Sequence, residues 1–414
     1  MSDAIAPQPA PRKRRRRRRM RPSTAPIVSR DDVVPAELRR YATELQRWRA
    51  GNAIELLVAG DETFPAMLEA IEGAERAICF EVYIFEDGTM GARFAEALAE
   101  RARAGVTVRV LYDAVGSFSL SAALVQRMKD AGVQVAEYHP VVPWRHRWNV
   151  FRRDHRKILV VDDEVGFTGG LNVTDDNASV EQGGKGWHDL HCRVRGPIVN
   201  DLARLFRKSW LYAGGDDYPA PPRAETVLAP AGEVALLMID NAERRRRRVP
   251  RRAYLKAFRA ARESISIENA YFLPDRGVRR ALIQAVRRGV DVRVIVPALS
   301  DVKAIEYAGL YVYRQLAKWG IKIYRWRGAM NHAKVAVVDG VWSIVGSYNF
   351  DARSLFYNLE AAVAALDRSF GETMAAQFAR DLEHSDEFDE RTWTTLPWWR
   401  KALAWTAFQV RRWL

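Results

Sequence analysis

Residues 158–161, Ile-Leu-Val-Val, form an unbroken apolar run between the polar approach DHRK and Asp162. Successive side chains of a strand point to opposite faces, so a run apolar at every position predicts a strand covered on both sides, with its polar approach opening into a cleft. Elsewhere the pattern moves between helical and strand periods. AERARAGVTVRVLYD (99–113) and IQAVRRGVDVRVIVP (283–297) each read as the end of a helix, a glycine stop and a β-branched strand.

These segments are copies. AMLEAIEGAERAICFEVYIF (66–85) lies without a gap on AYLKAFRAARESISIENAYF (253–272) at an offset of 187, matching Glu81 with Glu268 and Phe85 with Phe272. HRKILVVD (155–162) returns as HAKVAVVD (332–339) at an offset of 177, and GGLN (169–172) returns as GSYN (346–349). Each half reads as helix, strand, helix, strand and motif strand. Shared order with a shrinking offset predicts a duplicated α/β unit with loop deletions, at a period too long for a solenoid. The boundaries read as 1–50 for a basic tail and lead-in taken as disordered, 51–225 and 226–385 for the two lobes, and 386–414 for a Trp-rich amphipathic segment.

Composition narrows the class. With 48% apolar and 28% charged residues, most of the 414-residue chain is expected to fold, and its length suits two domains plus tails. The net charge is +14, of which the first 22 residues, with nine Lys or Arg against Asp3, carry +8. Cys79 and Cys192 sit in strand-like settings and read as two buried thiols in a reducing compartment. No run approaches the ~18 apolar residues of a membrane span, and the arginine-rich start lacks the apolar stretch of a secretory signal. Any work at a membrane is therefore expected on its surface.

The motifs carry the chemistry. On a strand, i and i+2 share a face, so His155 lies beside Lys157 and His332 beside Lys334. Two ammonium groups and two imidazoles converging from related halves make a cationic pocket for a phosphate, with no metal cage. One imidazole can attack phosphorus while the other protonates the departing oxygen and later deprotonates the incoming alcohol. Asn172 and Asn349 offer amide donors, and Gly170 and Ser347 allow close backbone approach. Each histidine needs an acid on its far nitrogen, for which Asp189 and Glu360 are the candidates. Asp162 and Asp339 close the motifs at strand ends, where a turn-forming role competes with a catalytic one.

The pair HxKxxxxDxxxxxxGGxN and HxKxxxxDxxxxxxGSxN resembles the phospholipase D superfamily over roughly residues 55 to 385. Within it, NHAK, GSYNFDARS, YNLE, ENAYFLPDR (268–276) and GWHDLHCRVRGP (186–197) look most like the bacterial cardiolipin synthases that lack membrane spans. The resemblance implies an α/β fold of two tandem lobes with pseudo-two-fold symmetry, one active site at their interface and a covalent phosphohistidine. It makes His155 the nucleophile and His332 the general acid and base, two roles that could be reversed. Lys157, Lys334, Asn172 and Asn349 would bind phosphate, and Asp162 and Asp339 complete the motif. No cofactor and no obligatory protein partner are implied. The expected partner is an anionic phospholipid membrane, at the cytoplasmic face of the inner membrane, with phosphatidylglycerol and alternatively phosphatidylethanolamine as substrates.

The superfamily also holds nucleases and hydrolases, so the motifs alone do not choose the phosphodiester. The final segment LPWWRKALAWTAFQVRRWL (396–414) favours lipid: Trp399, Ala402, Leu403, Val410, Trp413 and Leu414 share a helical face, with Arg400, Lys401, Arg411 and Arg412 on another. Five of the 13 Trp lie between 393 and 414. An ordinary helix docked on its own domain is the plainer alternative, and a non-catalytic membrane-binding protein is the rival from another class. VVPWRHRWNVFRRDHRK (141–157) is an insertion of the first half, with Trp144 and Trp148 among arginines at the cleft.

Overall fold

A computed structural model of the chain describes residues 33–142, 144, 149, 151–219, 230–242 and 246–413. The arginine-rich start, Trp148, Leu414 and part of the arginine cluster at 243–252 lie outside the described residues.

The first half runs β1 (Arg49–Val58), α1 (Ala59–Glu72), β2 (Ala77–Val82), α2 (Thr89–Arg103), β3 (Thr107–Asp113), α3 (Ala122–Asp130), β4 (Gln134–Tyr138), β5 (Ile158–Val161), β6 (Val165–Gly169), β7 (Leu190–Arg195) and α4 (Ile198–Ala213). The second half repeats it as β8 (Val234–Asp240), α5 (Val249–Ala260), β9 (Ser264–Asn269), α6 (Arg276–Arg287), β10 (Asp291–Pro297), α7 (Lys303–Ala317), β11 (Lys322–Trp326), β12 (Lys334–Val338), β13 (Trp342–Gly346), the short α8 (Ala352–Phe356), β14 (Ala361–Leu366) and α9 (Arg368–Glu383). The repeat predicted from sequence is thus present, extended in each half by an opening strand, a third helix and strand before the motif strand, and two strands and a closing helix after it.

All strands join one mixed sheet of 15, and the order of its halves mirrors about the antiparallel contact of β1 with β8. β2, β3 and β4 are parallel, as are β9, β10 and β11, while the motif strands β5 and β12 pair antiparallel with β2 and β9. Every residue of β5 and of β12 is buried, as a sheet covered on both faces requires.

Three apolar cores hold the layers. One lies in each half, around Phe80 and Phe94 and around Tyr254 and Trp342. The third belongs to both, since Phe206 and Trp210 of α4 share a cluster with Val335, Val363, Phe370 and Met374 of the second half. Both cysteines are free and buried, as expected.

Two segments differ from the sequence expectation. The lead-in to residue 50 is not all disordered tail: Val34, Tyr41 and Trp48 are buried in the second half's core, and Tyr41 Oη donates to Asp339 Oδ2 at 2.6 Å. The last segment is not a separate unit either. β15 (Ser385–Glu387) pairs with β11, and after α10 (Glu390–Thr394) the helix α11 (Trp398–Val410) docks on α7, with Ala404 buried and Phe408 4.7 Å from Tyr311. That docked side carries small and aromatic residues. The Trp side stays outward: Trp398 is 80% and Trp413 83% exposed, with Trp399, Leu403, Trp405 and Val410 also exposed.

Candidate active site

The chain approaching each motif strand exchanges backbone hydrogen bonds with the other half. His155 N–H donates to Leu359 O at 3.0 Å and Leu359 N–H to Arg153 O at 2.8 Å. Reciprocally, His332 N–H donates to His188 O at 2.7 Å and His188 N–H to Met330 O at 2.9 Å. The residues after Leu359 and His188 are Glu360 and Asp189, so these bridges carry each acid across to the opposite histidine. His155 Nδ1 lies 3.1 Å from Glu360 Oε2, and His332 Nδ1 lies 2.7 Å from Asp189 Oδ2. With Nδ1 engaged, each ring has Nε2 free for chemistry.

The two acids differ electrostatically. Burial pushes the Glu360 carboxyl up to about 7, although the Ser347 and Ser354 hydroxyls and both motif lysines favour its ionised form. Burial would raise Asp189 too, but Lys334 and His332 beside it outweigh that and hold it below the usual carboxylate range. Burial, Lys157 and Lys334 hold His155 well below the ordinary imidazole value; burial and Lys334 also lower His332, opposed by Asp189.

The lysines complete a crowded cationic cluster. Lys157 Nζ donates to His155 O at 2.8 Å and Lys334 Nζ to His332 O. Both are buried; burial and Lys334 bring Lys157 down to about 7, and burial brings Lys334 to about 8. Two desolvated, mutually repelling cations form a site that an anion would relieve.

Asn172 Oδ1 accepts from Ile84 N–H at 3.1 Å, which turns its amide nitrogen the other way. Asn349 is buried, its N–H donates to Ser354 Oγ, and its Oδ1 has no partner among the described residues. Gly170 and Ser347 occupy equivalent places beneath the two acids. A Cβ on Gly170 would fall 2.0 Å from Asp189 Oδ1, whereas Ser347 Oγ donates to Glu360 Oε2 and accepts from Ala361 N–H at 3.1 Å. Both positions thus lie against the acids that back the histidines.

Asp162 and Asp339 occupy the turn position that the sequence reading set beside a catalytic one. Each sits at the far end of its motif strand from the histidine, in the left-handed region at φ 54° and 52°. Asp162 accepts from the N–H groups of Glu75, Arg76 and Ala77, and Asp339 from those of Arg262, Glu263 and Ser264. Their carboxylates tie a helix–strand corner to the turn and do not reach the cleft.

Several neighbours were not singled out as site residues, although Trp187 and Tyr271 lie within segments 186–197 and 268–276. Tyr83 lies edge-on to His155 at 4.8 Å, and Trp187 and Tyr271 flank His332 at 5.7 and 6.4 Å. Tyr83 and Tyr271 adjoin the matched Glu81 and Glu268, so the repeat marked the segments though not these roles. Glu81 contacts Arg156 at 3.2 Å. Glu268 lies with His188 and Asp381 in the one group among the described residues whose ligand atoms fall within 4.8 Å of one another. Neither motif histidine belongs to it.

A family profile described as "Cardiolipin synthase, PLD-like domain" matches residues 67–210 and 254–382. The chain is 35% identical over 366 residues to cardiolipin synthase B of Salmonella typhi, covering 84% of this chain and 86% of that one. It is 34% identical over 347 residues to cardiolipin synthase A of Pseudomonas fluorescens, covering 83% and 72%. Among solved structures, phosphatidylserine synthase of Haemophilus influenzae shares the fold with a TM-score of 0.67 at 14% identity, over 87% of this chain and 95% of that one.

Proposed function

The chain belongs to the cardiolipin synthase family of phospholipase D-like proteins and is a phosphatidyltransferase of that kind; from this premise we propose that it works through a covalent phosphohistidine on His155. The observation that carries the mechanism is the unequal pair of crossed acids. His155, held well below the ordinary imidazole value with the raised Glu360 carboxyl behind it, is suited to attack. His332, backed by an ionised Asp189, is better suited to hold and release a proton.

In the first step Nε2 of His155 attacks phosphorus of a phospholipid. The bond to the head-group oxygen breaks, and His332 supplies that oxygen's proton. In the second, a glycerol hydroxyl of phosphatidylglycerol gives its proton to His332 and attacks phosphorus, breaking the P–N bond. Cardiolipin leaves and both histidines return to their starting states. Phosphatidylglycerol as donor releases glycerol; phosphatidylethanolamine would release ethanolamine. Lys157 and Lys334 offset the charge gathering on the phosphoryl oxygens, and Asn172 and Asn349 position them. One phosphodiester replaces another, so the exchange needs no nucleotide.

We place the enzyme peripherally on the cytoplasmic face of the inner membrane. The outward Trp face of α11 supports this, as a row of exposed aromatics is costly in water and suited to a bilayer interface. No helix among the described residues is long and apolar enough to cross a membrane.

The test is to incubate the purified chain with phosphatidylglycerol vesicles, with and without phosphatidylethanolamine, and to identify products by mass spectrometry. Cardiolipin that vanishes in His155→Ala is the expected result. Phosphatidic acid alone would make it a hydrolase, and no lipid product would redirect the search to nucleic acid.

A further inference from the structure

A cavity of about 550 Å³ opens between α5, α6, α8 and the end of α11, and none of the motif histidines or lysines lines it. Its rim holds six guanidinium groups, Arg248, Arg251, Arg276, Arg279, Arg411 and Arg412, against two acids, Asp275 and Asp351. Little of that negative charge is available. Asp275 is bound to Arg251 at 2.5 and 2.7 Å and caps α6. Asp351 caps α8 through Ser354 N–H, and burial pushes its carboxyl up to about 7.

The arginines are correspondingly short of counter-charge. Among the described residues no ion pair engages Arg248, Arg276 or Arg412. Arg279 and Arg411 lie below the usual guanidinium range, first through burial and then through neighbouring arginines. A plain solvated charged surface would be convex and polar. This one is concave, with Leu273, Phe350, Leu355 and Phe356 in its wall, and it adjoins the end of the helix that turns its tryptophans outward.

We propose that this cavity binds an anionic phospholipid apart from the reacting one, with the phosphate between Arg276 and Arg412 and the acyl chains over Leu355 and Phe356. Planar guanidinium groups match phosphate oxygens in pairs, and the apolar wall matches hydrocarbon. The assignment rests on the reading of the chain as a lipid enzyme. It also reaches the active site: α8 lines the cavity with Ala352, Leu355 and Phe356, while its Ser354 Oγ donates to Glu360 Oε1 at 2.7 Å. An occupant therefore bears on the short helix that holds the acid of His155.

The test uses the His155→Ala chain, which cannot turn over, titrated calorimetrically with monomeric dihexanoylphosphatidylglycerol. Inorganic phosphate and dihexanoylphosphatidylcholine are run as comparison probes. Two lipid-binding events are expected. One should weaken about tenfold or more when Arg276→Gln and Arg412→Gln are added on the same background, with circular dichroism unchanged. That event should be absent with the zwitterionic lipid. An isotherm unmoved by the arginine substitutions, or phosphate binding there as tightly as the lipid, overturns the site. Cardiolipin synthesis by the unaltered chain is measured in parallel. Synthesis without the second event removes the site and leaves the function, and the second event without synthesis does the reverse.

Discussion

His332 and Asp189 meet at 2.7 Å across the junction of the two halves, and His155 and Glu360 form the reciprocal pair at 3.1 Å. The pairs are alike in form and unequal in charge. Asp189→Asn, which removes the ionised partner of the proton-holding ring, is expected to lower kcat by about a thousandfold or more; Glu360→Gln should cost about ten- to a hundredfold. Steady-state synthesis in mixed micelles reads both. Equal losses would remove the functional asymmetry.

The roles of the histidines separate with a donor whose leaving group needs no proton. With phosphatidyl-p-nitrophenol, His332→Ala should still release about one nitrophenolate per chain in a burst and then stall, because the phosphohistidine forms but no base activates the acceptor. His155→Ala should give no burst. A burst in His155→Ala alone would exchange the assignments.

Gly170 tests the geometry beneath Asp189. Gly170→Ser copies the residue of the second half, yet its Cβ would fall 2.0 Å from Asp189 Oδ1, a buried and short side chain that has nowhere to retreat. Activity should fall about a hundredfold or more as Asp189 is pushed off His332, with the far-ultraviolet spectrum unchanged. Near-normal activity would show that the acid can reposition.

The lysines set an alkaline limit. Phosphate binding needs the ammonium forms, which are complete only well below 7 and disappear as pH rises through the values of about 7 for Lys157 and about 8 for Lys334. In the free enzyme kcat/KM should therefore begin to fall above about pH 7 and steepen above about pH 8, by about tenfold per unit for each lysine deprotonated. His155, held below the ordinary imidazole value, adds no loss near neutrality, whereas His332, also lowered and needed in its protonated form for the first step, adds to the same alkaline limb. Lys334→Arg, which keeps its charge, should flatten part of that limb. A profile level from pH 6 to 9.5 would contradict this account.

The outward face of α11 should carry membrane affinity. Replacing Trp398, Trp405 and Trp413 by Ser leaves the docked side, Ala404 and Phe408, untouched. Cosedimentation with anionic vesicles should weaken by roughly tenfold or more, while turnover of a soluble short-chain donor holds. Unchanged cosedimentation would assign the face another purpose.

The duplicated motif and the buried motif strands were legible because each is written within a few consecutive residues. Asp189 and Glu360 were legible as acids, but their partners were not. The pairing arises from bridges between residues 143 and 205 apart in sequence, and no local period encodes it. The packing of Tyr41 on Asp339, 298 residues away, was hidden for the same reason. In α11, periodicity placed Trp399, Leu403, Val410 and Trp413 on the outward face but not Trp398 and Trp405, and it missed the opposite side that docks, since Ala404 and Phe408 become a contact surface only when Tyr311 is placed against them.

The crossed acids bear on descent. Half of this chain alone would hold a histidine and a lysine with no carboxylate behind the ring, and an acid reaching toward nothing; two identical copies facing each other would complete both sets. Such a dimer could serve two alcohols in turn only with identical acids behind identical histidines. In one chain the two halves need not match, and here one ring has an aspartate over a glycine while the other has a glutamate under two serine hydroxyls. A single chain can hold an inequality that two identical copies could not.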